Sequence, residues 1–298
     1  MKKLNDKQQL TLTNSGRKPR LKLPPNSCET HSHIYGPQEK YPLWPGRLGE
    51  PICSLDAYNE MLDRLGFDRA VIVQPSAYGS DNRCTLDSIA ARGLKTTRGV
   101  CVTRKDISEE ALWKLHKQGI RGLRFFLIAD DFKLEDSITM AQKLAPLGWH
   151  IQFQDDGVWL EEAVNIFRKL PVDCVVDHIG RIGAGQLADT NGFNALLKFF
   201  ETGRCWIKIS APYYMCTDGH HGKNGDFPDY EQVAVYVRAL LEVRPDRLVW
   251  AANWPHPQFP ITDKPDEASC LDVMADWIPD EATREMIFVD NPSKLYDF

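Results

Sequence analysis

Residues 54–76 read SLDAYNEMLDRLGFDRAVIVQPS, and this stretch decides the fold. Leu55, Tyr58, Met61, Leu62 and Leu65 recur at helical spacing and fall on one stripe. Gly66 supplies a helix stop, and the apolar run RAVIVQPS (69–76) follows at once. A helix that returns into a short apolar strand is the unit of a parallel α/β fold.

The unit recurs in both directions. Short apolar runs stand at 27–34, 69–76, 97–103, 120–127, 149–154, 173–180, 205–211 and 247–254, and each of the first seven leads into a helical pattern. DEASCLDVMADWI and DEATREMIFVDNPSKLY then form a helical close. Eight strands alternating with helices predict an α/β fold closed into a (β/α)8 TIM barrel, a single domain over residues 24–298. An open doubly wound sheet would place a glycine-rich phosphate loop after its first strand, and HSHIYGPQEKYPLWPG is not one.

Composition agrees with that reading. The 298 residues are 43% hydrophobic and 26% charged, with a net charge of −5, which leaves no electrostatic footprint for nucleic acid. No run is apolar enough to span a membrane. Residues 1–23 read as a polar N-terminal tail carrying Lys2, Lys3, Lys7, Arg17, Lys18, Arg20 and Lys22, and nothing in the chain speaks to its oligomeric state. Eight cysteines are scattered without a CxxC pair, several inside apolar runs, as expected of reduced thiols in a cytoplasmic protein.

Active sites of such barrels form at the carboxyl ends of the strands. Strand one brings His31 and His33, which are two apart and so share a face. Strand two brings Gln74 and Ser76, then Tyr78 and Asn82; strand four Arg124; strand five Gln152 and Gln154. Strand six ends in Asp177 and His178, strand seven in Lys208, Ser210 and Tyr213, and strand eight in Asn253 and His256. Two imidazoles on one strand face, joined by a third from strand six, suit one metal ion or one polarised oxygen.

The segments ETHSHIYGP, VIVQPSAYGSDN, GLRFF, VVDHIGR, KISAPY and NWPHP together resemble the amidohydrolase superfamily (amidohydrolase-2 type). Within it they look nearest to the branch of 2-pyrone-4,6-dicarboxylate lactonases and D-galactarolactone isomerases. The resemblance runs colinearly over about residues 24–296. It implies a distorted (β/α)8 barrel acting on small cyclic esters, with His31, His33 and His178 polarising the lactone carbonyl or holding a metal. The carboxylate that activates water in the family falls on Asn253 here, as in the isomerases it resembles. Of the arginines that grip substrate carboxylates in the lactonases, only Arg124 matches; Ile128 to Asp131 and Tyr213-Tyr214 stand at the other places.

The chemistry expected is hydrolysis of the lactone of a small carboxylated molecule, such as a pyrone or a sugar acid. His31, His33 and His178 would donate to the developing oxyanion, with Asn253 and His256 positioning the nucleophile. Arg124 would hold a carboxylate, and Ser76, Tyr78, Asn82, Gln154 and Tyr213 would bind other substrate oxygens. Asparagine cannot take a proton, so an intramolecular ester migration, an isomerisation, is the alternative; a metal-dependent decarboxylase or hydratase is another. No cofactor is required in this reading; a zinc ion, if bound, would sit on His31, His33 and His178. Asp177 reads two ways: as a carboxylate that orients an imidazole or serves, like His256, as the base, or, by strand alternation, as one that points opposite to His178 and ties strand to helix. Trp44 and Tyr41 are candidates for a pocket wall, and His220 and His221 read as a solvated turn.

Overall fold

The computed structural model describes residues 16–49, 53–126, 133–154, 160–182, 191–216, 230–260 and 264–298. The expectations for residues 1–15, Ile128 to Asp131, His220 and His221 lie outside them.

Eight parallel strands follow one another in sheet order as they do in sequence: β1 (Cys28–Ser32), β2 (Arg69–Val73), β3 (Thr97–Cys101), β4 (Ile120–Phe126), β5 (His150–Gln154), β6 (Cys174–Val176), β7 (Cys205–Ser210) and β8 (Leu248–Ala251). The intervening helices are α1 (Leu55–Leu65), α2 (Arg83–Arg92), α3 (Glu109–Lys117), α4 (Asp136–Leu144), α5 (Leu160–Phe167), α6 (Asn191–Phe200) and α7 (Glu231–Val243), and α8 (Glu267–Trp277) follows β8. Helix α1 begins where the Ser54 hydroxyl accepts from the Ala57 N–H and ends at left-handed Gly66, φ 90°. Its buried face is Ala57, Tyr58, Met61, Leu62 and Leu65, close to the stripe read from the sequence.

The barrel closes between β1 and β8. Beyond the regular strands, the Asn253 N–H donates to the His31 carbonyl (2.9 Å) and the His33 N–H to the Trp254 carbonyl (2.8 Å). Lower down, the buried Glu29 carboxylate bridges the seam, accepting from the backbone of His31 and Ala252 (both 2.9 Å) and from the Tyr58 hydroxyl (2.6 Å). The interior holds Cys28, Val71, Val73, Val100, Val175, Trp206 and Val249. Leu295 and Tyr296 of the last helix plug its amino-terminal end; that helix is α10 (Asn291–Tyr296), preceded by α9 (Glu281–Glu285).

The strands end earlier than their apolar runs, because the chain turns at the barrel mouth. Residues Asp177–Arg181 form a tight turn with His178 at φ 55° and Ile179 at φ 55°, and Ala211, Asn253 and His256 are also left-handed. Such conformations are costly for residues with a Cβ and gather at functional sites. Residues 16–23 include Arg17, whose guanidinium pairs with Asp266 (3.0 Å) and Asp272 (2.7 Å) around α8.

Candidate active site

An irregularity between Glu29 and Ser32 breaks the alternation of β1. It lets Cys28 join the interior cluster while His31, three residues on, also turns inward. His31 Nε2 and His33 Nε2 stand 3.3 Å apart. The His31 ring is 4.9 Å from that of His33 and 5.0 Å from that of His178, so the three imidazoles converge with His31 in the middle.

Asp177 lies inside the barrel, contrary to the alternation argument. Strand β6 has already ended at Val176, and the turn that follows releases both Asp177 and His178 to the interior. Asp177 Oδ1 is 3.0 Å from His31 Nδ1 and 3.5 Å from Lys208 Nζ, and Oδ2 accepts from Gln152 Nε2 at 2.9 Å. Lys208, fully buried, donates to the Thr30 carbonyl (2.9 Å) and Gln152 Oε1 (2.8 Å). Burial brings its ammonium down to about 8 against the pull of Asp177. A charged residue in the apolar strand CWIKIS was the signal for this role.

The hydrogen bonds define what the imidazoles offer. His33 Nδ1 is 2.8 Å from the Val73 carbonyl, which only accepts, so Nδ1 carries the proton and Nε2 presents a lone pair. Burial first, then the Arg124 charge, push His33 down to about 3, which keeps it neutral. His33 is therefore an acceptor, and its expected part as an oxyanion donor is corrected. His31 and His178 are held well below the usual histidine range, mainly by burial. His31 Nδ1 faces one acceptor, Asp177 Oδ1 (3.0 Å), and two donors, Lys208 Nζ (3.3 Å) and Gln152 Nε2 (3.4 Å), while its Nε2 faces the His33 Nε2 lone pair at 3.3 Å. His178 Nδ1 is 2.8 Å from the Ser210 hydroxyl, whose one proton also has the Lys208 carbonyl within reach at 3.4 Å.

Above this cluster lies a cavity of about 160 Å³ lined by His33, Tyr35, Leu48, Gly49, Pro75, Ser76, Arg124, Gln154, Tyr214, Asn253, Pro257 and Gln258. Larger hollows of about 360 and 420 Å³ open beside the β3 exit, around Val102–Asp106, but no imidazole lines them. Arg124, 2% exposed, donates to the Gln74 carbonyl (2.9 Å) and Gln154 Oε1, with Nε 3.9 Å from Asp177.

Several expected residues stand elsewhere. Tyr78 turns its hydroxyl to the Gly36 N–H (3.1 Å), and Asn82 brackets the backbone of Val102 at 2.7 and 3.1 Å; both are structural. Tyr213 and His256 lie behind Asn253, and Tyr214 takes the wall position instead. Tyr41 bonds Asp87 (2.7 Å), and Trp44 lines the neighbouring hollow. A metal-type cluster also differs from the expected one: His31, Asp177 and His178 each bring a ligand atom within 4.8 Å of the others.

The barrel with a polar, histidine-rich mouth at the carboxyl ends of its strands has the architecture of a (β/α)8 enzyme. The amidohydrolase family profile matches residues 28–298, and the chain belongs to that family. The 2-pyrone-4,6-dicarboxylate hydrolase of Comamonas testosteroni is 35% identical over 94% of this chain and 92% of its own. The D-galactarolactone isomerase of Agrobacterium fabrum is 30% identical over 95% of this chain and 94% of its own. A protein of Agrobacterium tumefaciens, crystallised without ligand, superposes with a TM-score of 0.83 at 27% identity, covering 94% of this chain and 97% of that one.

Proposed function

We propose that the protein hydrolyses the lactone of a small carboxylated molecule, a pyrone or a sugar acid. The observation that carries the reading is the cavity in which acceptors and donors are segregated. His33 Nε2 and the Asn253 side chain stand on the β1/β8 side, and Arg124 with Gln154 on the β4/β5 side. Arg124 binds the substrate carboxylate, the rim hydroxyls of Ser76 and Tyr214 meet the carbonyl oxygen, and water is held between Asn253 and His33; His178 lies beneath, outside the cavity lining. His33 Nε2 and Asn253 Oδ1 accept from the water and orient it; as its oxygen bonds to the carbonyl carbon, the ring C–O bond breaks and the water proton passes to the leaving oxygen, while Asp177 steadies His31 beside it. The relatives' activities, a lactone hydrolysis and a lactone isomerisation, support this class of substrate.

The amidohydrolase superfamily often uses metals, but these residues fit a resident divalent ion poorly. Asp177, the one carboxylate in the cluster, already faces Lys208 at 3.5 Å and Arg124 at 3.9 Å, so an ion would be a third cation around one anion. Asn253 adds only an amide. Turnover should survive dialysis against a strong chelator; loss of activity restored by zinc would reverse this reading. The eight free thiols, all but Cys216 buried, support a reducing, cytoplasmic setting. Among the described residues no helix is long and apolar enough to cross a membrane.

A specific observation favours isomerisation as the second reading: an amide, with no proton-accepting carboxylate, stands at position 253. Turnover of a panel of carboxylated lactones in ¹⁸O water separates the two. Label in the product supports hydrolysis; an unlabelled product of unchanged mass establishes acyl migration.

A further inference from the structure

Behind Asn253 runs a buried chain of hydrogen bonds with a forced direction. Asn253 Nδ2 is 2.9 Å from the Tyr213 hydroxyl and 3.4 Å from that of Tyr214. The Tyr213 hydroxyl is 2.8 Å from His256 Nδ1, His256 Nε2 is 3.2 Å from Glu267 Oε1, and Glu267 Oε2 accepts from Arg64 at 2.9 Å. Asn253, Tyr213, His256 and Glu267 are all 4% exposed or less.

The anchor is Glu267, held between Arg64 and His256. A carboxylate only accepts, so His256 carries its proton on Nε2. Burial keeps the imidazole below its usual range against the pull of Glu267, so it is neutral and Nδ1 is bare. A bare Nδ1 must accept the Tyr213 O–H, and the Tyr213 oxygen is then left to accept from an amide N–H. Only one of the two orientations of the Asn253 amide satisfies that, although the two are alike in shape. Its Oδ1 is left without a protein partner among the described residues, on a side chain that lines the cavity.

We propose that Glu267 is a positioning residue which, through His256 and Tyr213, holds Asn253 Oδ1 toward the cavity as a fixed acceptor for the O–H of the nucleophile. This deepens the reading above and rests on it for the identity of the substrate. A fixed acceptor selects water or a substrate hydroxyl at this spot and repels a carboxylate, so the substrate carboxylate is directed to Arg124 across the cavity. Tyr213 and His256 thereby act on specificity without meeting the substrate.

The test has two arms on the full chain. In ¹⁵N spectra of histidine-labelled, ligand-free protein, His256 should be the neutral Nε2–H tautomer with Nδ1 hydrogen-bonded, and the Nδ1 signal should shift in Tyr213→Phe. A protonated Nδ1 overturns the proposal whether or not any lactone is turned over. In the second arm, Tyr213→Phe should lower kcat on the best lactone of the panel on the order of ten-fold, and no more than about two-fold further in an Asn253→Ala background. Equal losses in both backgrounds overturn it. Glu267→Leu should follow Tyr213→Phe, and Glu267→Gln, which keeps an acceptor for His256, should restore part of the loss. Failure of every lactone to react refutes the substrate reading, while the spectra still decide the orientation.

Discussion

Arg124 is where binding and chemistry separate. Its guanidinium reaches the cavity from β4 and is oriented by Gln74 and Gln154. Arg124→Met should raise KM by about ten- to a hundred-fold with a smaller effect on kcat, as steady-state kinetics would read, because it removes a contact present in substrate and transition state alike. An equal loss in kcat alone would place Arg124 at the reacting atoms instead. Lys208 is the buried counterpart of Asp177. Lys208→Met should cost about 3 kcal/mol in urea unfolding, the scale of leaving a buried charge without its partner. A cost near zero would mean that Arg124 alone neutralises Asp177. His31, His33, His178 and Arg124 were legible as residues because polar side chains interrupt apolar runs at their carboxyl ends. The sidedness of Asp177 was not legible, since alternation assumes a strand that the chain has already left. The proton on His33 Nδ1 follows from a carbonyl of β2, forty residues away, which no local pattern reveals.

At the scale of elements, the helix stripes and the order of strands could be read directly, because burial on one side imposes a period on the chain. The strand ends could not. The stretches read as strands six and eight run on to residues 180 and 254, past His178, Ile179 and Asn253, where the backbone turns left-handed, and residue type alone does not mark that change of φ. The irregularity in β1 was likewise invisible, although it turns His31 inward. The last helix was expected as a close; the structure shows what it closes. Tyr296 enters the amino-terminal end of the barrel, its ring 5.4 Å from that of His150. Tyr296→Ala should destabilise the fold by about 3–5 kcal/mol, measured by chemical denaturation, since a large aromatic leaves a cavity that the barrel wall cannot collapse into. The site lies at the opposite end, so KM should change little.

At the scale of the whole molecule, the barrel buries histidines in neutral form. His33 and His150 are pushed down to about 3, and His31, His178 and His256 are lowered as well, burial being the main cause throughout. Unfolded histidines titrate near pH 6.5, so between that value and about 3 the unfolded chain binds protons that the fold refuses. Stability should therefore rise with pH through this window and be lost as pH falls. Denaturation midpoints at pH 7 and pH 5 would show it, and His150→Phe should flatten the slope by up to one proton. An unchanged slope would mean that His150 is protonated in the fold. The sequence by itself determined the barrel, the end of it that bears the site and the residue types gathered there, because periodicity and polar interruption are properties of neighbours along the chain. Only the tertiary structure decided which of those side chains share a cavity, which nitrogen carries each proton and which way the Asn253 amide points. Those depend on partners brought from distant strands, and hydrogen-bond direction is settled by the partner and not by the residue alone.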